Sequence, residues 1–163
     1  MGVRNCREIG ENLQKIVKRL MANDNLVKLL YYTDADPLSG QTLSESEKKE
    51  KIFNKRIRLV PKLLPQELAD STISVEVISG RRLNDNDQFR NIVVVVEIFV
   101  PITQWIIKDI NLRPFAIMGE VQETLNGLTI NGLGKMKGGD FDYNFGTDEM
   151  TAYIQTFEIT TYD

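Results

Sequence analysis

The chain has 163 residues, a formal charge of −3, one cysteine and no histidine. This length supports one sizeable core and is short for two domains, and the acidic balance argues against tight non-specific DNA binding, which needs a basic surface. Without histidine the Ser-His-Asp and Cys-His nucleophile systems and nearly every zinc site fall away.

The lone Cys6 has no partner for an internal disulfide, which points to a reducing cytosol, and near a polar terminus it reads as an incidental thiol. No apolar signal core opens MGVRNCREIG and no apolar run approaches membrane-spanning length, so no membrane contact is expected. From Arg7 to Leu30, Ile9, Leu13, Ile16, Val17, Leu20 and Met21 recur at spacings of three and four, which predicts an amphipathic helix. Asn23-Asp24-Asn25 interrupts it, with Asn23 or Asp24 placed to cap a short second helix carrying Leu26, Leu29 and Leu30. Lys15, Lys18 and Arg19, mixed with Glu11, read as a solvated face rather than a nucleic-acid patch.

Residues 33–55 form a polar arm with one charged helical turn in SESEKKEK. Asp34, Asp36 and Glu45 hold three places of a calcium loop, but Leu38 sits at a ligand place, Pro37 stiffens the chain and Gly40 comes one residue late. Calcium is not expected. The arm has little to bury, so it is expected to be mobile in an isolated subunit over 33–51 and to order against a neighbour.

Arg56 to Val60 alternates and stops at Pro61, and PKLLPQELAD is a connection. Ser71 to Ser79 puts Ile73, Val75 and Val77 on one strand face, GRRLNDNDQ supplies a turn, and Phe89 to Val100 returns as a long strand. Its run Ile92 to Val96 is apolar on both faces, which predicts a central strand covered twice. Asp85-Asn86-Asp87 is explained by the turn without a metal. After Pro101 comes the cluster Trp105, Ile106, Ile107 and Ile110, then a helix from Pro114 to Gly127 with Phe115, Met118, Val121 and Leu125 in one stripe. Two strands close the chain, carrying Phe141, Tyr143, Phe145 and then Tyr153, Gln155, Phe157, Ile159, joined at Gly146-Thr147-Asp148-Glu149. The acid pairs Asp140/Asp142 and Asp148/Glu149 read as solvated rather than catalytic.

The stretch 126–140, NGLTINGLGKMKGGD, sets glycine beside lysine as phosphate loops do. It fails the P-loop spacing, because Thr129 stands five before Gly134 and Met136 replaces the hydroxyl. It also follows a helix and precedes a strand, the reverse of a phosphate loop. Gly127 reads as the helix end, and Gly132, Gly134, Gly138 and Gly139 as the reversal into the sheet edge. The expected fold is one α+β domain over 1–163, with a mainly antiparallel sheet of about five strands, two main helices packed on it and a long polar arm after the first helix.

At this level the phrases KIVKRLMANDNLVKLLYY, TISVEVIS–VVVVEIFVP and WIIKDINLRPFAIMGEVQETLNG followed by INGLGKMKGGDF, with the acidic arm, together resemble the tail terminator, or tail-completion, proteins of long-tailed bacteriophages. The resemblance covers most of the chain and lies in size, phrasing and element order, not in a catalytic motif. It implies a structural virion protein of the tail or neck, assembled in the host cytoplasm. Such proteins stack as a hexameric ring on the last ring of tail tube protein and present a surface to the head-side connector or stopper protein. DNA only passes through the lumen, and no cofactor, metal or catalytic residue is implied. Other neck and head-completion proteins share these features, and a small ligand-binding or enzymatic domain is the alternative from another class.

The apolar excess of IVVVVEIFVPITQWII fits a ring in which one patch meets a different patch of the next copy. Val93, Val95, Phe99, Trp105 and Ile106 are the expected interface, with Trp105 as its anchor. The failed phosphate-loop spacing carries its own test. Calorimetric titration with ATP or GTP is expected to give no saturable binding, in the native chain or in Lys135→Ala. Binding that the substitution abolishes overturns this.

Overall fold

The computed structural model describes residues 6–59, 69–83, 86–131 and 134–162. Helix α1 (Cys6–Ala22) buries Ile16, Val17 and Leu20, the stripe its periodicity predicts. Asn23 then breaks the helix. Its side-chain oxygen accepts the Leu26 N–H at 3.0 Å and caps α2 (Asp24–Tyr31). The first charged turn of the arm becomes α3 (Glu45–Lys51), and the last helix is α4 (Arg113–Leu125). The amide of Asn23 donates to Glu120 Oε2 and Thr124 Oγ1 of α4, each at 2.9 Å, so the break between two helices also fastens them to a third.

Helix α4 starts with Pro114 in its first turn and ends before Gly127, whose φ of 81° no other residue type adopts easily. Its buried stripe is Pro114, Ile117, Met118, Val121 and Leu125. Phe115, expected in that stripe, is 39 % exposed instead. The stripe is centred on Pro114, Val121 and Leu125, and at about 100° per residue Phe115 falls on its rim.

Six strands form one curled, mixed sheet: β1 (Ile57–Arg58), β2 (Thr72–Leu83), β3 (Asn86–Pro101), β6 (Thr129–Ile130), β7 (Gly134–Gly146) and β8 (Met150–Tyr162), in the order β1-β2-β3-β8-β7-β6. Strand β1 joins β2 in parallel and every other pair is antiparallel. Two further strands, β4 (Ile106–Ile107) and β5 (Asn111–Leu112), pair separately. The sheet has one strand beyond the roughly five expected: β1 falls within the alternating stretch that starts at Arg56, whereas β6 has two residues, too short to show a period. One face packs Ile73, Val75, Ile92, Val94, Val96, Ile98, Phe157 and Ile159 into a single core with the helices.

Strand β3 is central, as its apolar run predicts, but among the described residues no second layer covers its other face. Val95 and Phe99 are nonetheless buried there, Phe99 against Met150 and Ala152 of β8 and Phe145 of β7. Phe145 was expected on the face of Phe141 and Tyr143. A bulge between Tyr143 and Phe145 turns it across the sheet. A second bulge corrects the reading of the glycines. Gly138 and Gly139 are not in a turn but within β7, with φ of 136° and 110°, where the ladder skips from Gly138 to Asp140. A Cβ on Gly138 would lie 2.5 Å from the carbonyl oxygen of Thr156, so only glycine lets β8 approach.

The arm is also corrected: it lies on the body. Pro37, Leu43, Lys48 and Ile52 are buried, and Lys48 Nζ reaches Asp24 at 2.8 Å while its stem covers the core edge. Ser44 and Glu47 close a capping box that starts α3. A few well-placed apolar residues suffice where the composition appears too polar to pack. Most of PKLLPQELAD, Asp85 of the turn, and Gly132 lie outside the described residues.

The guanidinium of Arg113 is fully buried at the start of α4. Nε donates to the carbonyl of Gln104 at 2.7 Å, Nη1 to those of Leu29 at 2.6 Å and Tyr32 at 2.7 Å, and Nη2 to that of Asp34 at 2.6 Å. Replacing Arg113 by Ala leaves these carbonyls unanswered, and chemical denaturation is expected to show a loss of roughly 3–5 kcal/mol. Arg113→Lys keeps the charge but not the fork, and is expected to recover only part of that loss.

Candidate functional site

Strands β7 and β8 have 13 residues each, roughly 43 Å when extended. Helix α4 also has 13 residues but spans only about 20 Å. The helices therefore cannot cover the sheet to its end. Where they stop, at the β7–β8 hairpin, the core-side face continues into solvent as aromatic rings.

Tyr153 of β8 is the centre of this surface. Its ring centroid lies 5.5 Å from Tyr143, 6.2 Å from Phe141, 5.4 Å from Phe115 and 6.3 Å from Trp105. Two of these pairs, with Phe141 and Tyr143, meet edge to face, an arrangement the ring quadrupoles favour. Phe141 is 51 % and Tyr143 60 % exposed, and Ile106, beside Trp105, is 66 % exposed. Trp105 is half-buried against the main core, and its carbonyl accepts the Arg113 N–H at 2.8 Å. The outer edge of β7 is open as well. Strand β6 pairs only with Gly134 and Lys135, and among the described residues no strand lies on the outer side of β7 from Asp140 to Gly146, opposite β8.

The five expected interface residues do not form one surface. Trp105 lies with the aromatic rings on the helix side of the sheet, and Ile106 is exposed next to it in the chain. Val93, Val95 and Phe99 point to the opposite face, and Val95 and Phe99 are buried within the subunit. Phe115, Phe141, Tyr143 and Tyr153 were not expected at an interface. Their signal was the aromatic alternation after Gly139, which shows a strand with one apolar face but not that its cover runs out.

The candidate acids have separate roles. Asp140 and Asp142 share one exposed face of β7, as alternation requires, and Asp148 and Glu149 are exposed in the hairpin turn. Asp34 accepts the Asp36 N–H, Asp36 pairs with Lys108, and Glu45 pairs with Lys48, so the three calcium-loop positions do not converge. Among the described residues no group of three or more acids or cysteines is placed to hold a metal.

On the face away from the helices, Glu97 of β3 accepts a hydrogen bond from Asn144 of β7, reaching over β8. Burial raises the affinity of Glu97 for its proton, the nearby charge of Glu76 raises it further, and Asn144 opposes both. A carboxylate whose folded pKa is raised destabilises the fold when ionised, so its cost appears as pH rises through that pKa. Glu97→Gln keeps an acceptor for Asn144. It is expected to melt above the native chain at neutral pH, and the difference is expected to vanish as acid protonates Glu97. Parallel thermal melts across pH measure this.

The profile of the YomW family matches residues 23–159. No curated protein sequence matches the chain. The matched span runs from the cap of α2 through Arg113 and the aromatic surface to the end of the core in β8. The chain belongs to the YomW family, a phage-derived prophage gene family, and is a phage-related protein.

Proposed function

We propose that this chain is a structural subunit of a phage tail, a tail-completion protein that closes into a hexameric ring on the last ring of tail tube protein. The opposite end of the ring meets the head-side connector or stopper protein, and DNA passes through the lumen. The observation that carries this reading is the Tyr153-centred aromatic surface beside the open edge of β7. Exposed, contiguous aromatic rings are what the desolvated centre of a protein interface is made of, and left in water they favour association. Membership of a phage-derived family, together with the resemblance to tail terminators, supports reading that interface as one made in a phage tail.

Native mass spectrometry of the purified chain is expected to show a six-copy ring, and negative-stain images are expected to show that ring capping tail tubes. A double variant, Ile106→Ser with Tyr143→Ser, changes only exposed side chains, so it is expected to lose no more than about 1.5 kcal/mol, the Tyr143–Tyr153 contact included, and to stay folded while assembly is lost. Trp105→Ala separates the readings less cleanly, because Trp105 also packs on the core. A native chain that stays monomeric overturns the ring. A ring that binds connectors but never tail tubes places the protein elsewhere in the neck.

A further inference from the structure

The chain carries a counterpart to its own hairpin. Gln14, Lys18 and Met21 form one stripe of α1, and across from them stand Lys49 of α3 and Phe53 just after it. Between the two lies a groove of about 370 Å³ with an apolar floor, where Phe53 is 43 % exposed. Lys18 and Lys49 form its rim, and among the described residues neither is paired with a carboxylate. The hairpin end has the opposite chemistry. Phe141 and Tyr143 present exposed rings on one face of β7, Asp140 and Asp142 are exposed on its other face, and Asp148 and Glu149 are exposed in the turn at its end, so the hairpin end carries both rings and acids. Basic rim and apolar floor on one side answer acids and rings on the other.

Their placement decides who can meet whom. Phe53 bridges to Ile57, so the groove lies toward β1. In the sheet, β2, β3 and β8 separate β1 from β7. Two complementary surfaces on opposite flanks of one subunit do not satisfy each other within it, but they do so between successive copies. A head-to-tail contact of this kind is heterologous, the type from which closed rings are built.

We propose that the β7–β8 hairpin end of one copy docks in the α1–α3 groove of the next. A ring from Phe141 or Tyr143 fills the apolar floor, and the hairpin acids lie against Lys18 and Lys49. This inference rests on the ring reading and names the surface through which the ring closes. Opposite charge sets the direction of the contact, because two grooves or two hairpins repel.

Charge reversal tests it. One variant reverses the groove (Lys18→Glu, Lys49→Glu) and the other the hairpin (Asp142→Lys, Asp148→Lys, Glu149→Lys), all at exposed positions. In each variant groove and hairpin now carry the same sign. Each alone is expected to need at least about a tenfold higher concentration to assemble, with an unchanged melting curve. Mixed in equal amounts, they are expected to regain assembly as rings of alternating subunits, because each reversed surface finds an opposite charge on the other variant. A single chain carrying all five reversals is likewise expected to form rings. Native mass spectrometry reads every arm. If the native chain forms no ring, the ring reading itself fails. If the native chain forms rings and either variant alone still does, or the mixture does not, the docking inference is overturned while the ring stands.

Discussion

The guanidinium of Arg113 is a cation buried in the protein interior and answered by four backbone carbonyls. Burial works against its charge, while the nearby charge of Asp34 favours it. Taking such a group out of water costs several kcal/mol unless its donors are satisfied, so the surrounding backbone has little freedom to move. Leu29 and Tyr32 present their carbonyls at the end of α2, where a helix leaves its last acceptors unpaired and favours a cation. One side chain therefore ties the end of α2 and the entry to the arm to the first residue of α4.

The same point organises the sheet end. Arg113 holds the carbonyl of Gln104, whose buried side chain accepts from Ser71 and donates to Asp70. Asp70 in turn pairs with Arg56 at 2.9 Å, next to β1. Trp105 follows Gln104, and Phe115 comes two residues after Arg113. The aromatic surface is thus positioned from beneath by a polar network, while Phe141 and Tyr143 remain exposed.

The rest follows from a mismatch of lengths. A strand advances more than twice as far per residue as a helix, so helices and strands of equal residue count cannot end together. Here the excess appears at the hairpin, where the bulges at Gly138 and Tyr143 also disturb the ladder. The apolar run of β3, by contrast, is consumed within the subunit: Ile92, Val94, Val96 and Ile98 pack on the core, and Val95 and Phe99 are buried on the opposite face. The exposed aromatic rings therefore lie at the end of the sheet and not over its middle.

Local chemistry was readable from the residues. The stripe of α1, the break and cap at Asn23, Pro114 and Gly127 bounding α4, the central place of β3 and the turn at Gly146–Glu149 each depend on neighbours a few residues apart. What the residues did not show was set by partners far along the chain. The burial of Arg113 is set by Leu29, Tyr32 and Asp34, about 80 residues away in the chain, and SESEKKEK reads as part of a free arm until Asp24 receives Lys48. Phe145 changes face through a bulge, and Phe115 becomes an interface candidate only because the sheet outruns the helix above it. The sequence by itself determined where elements begin, end and turn, since capping, spacing and backbone sterics act within one or two turns of chain. Only the tertiary structure decided which apolar face lacks a cover, because burial is a property of what packs against a residue and not of the residue itself.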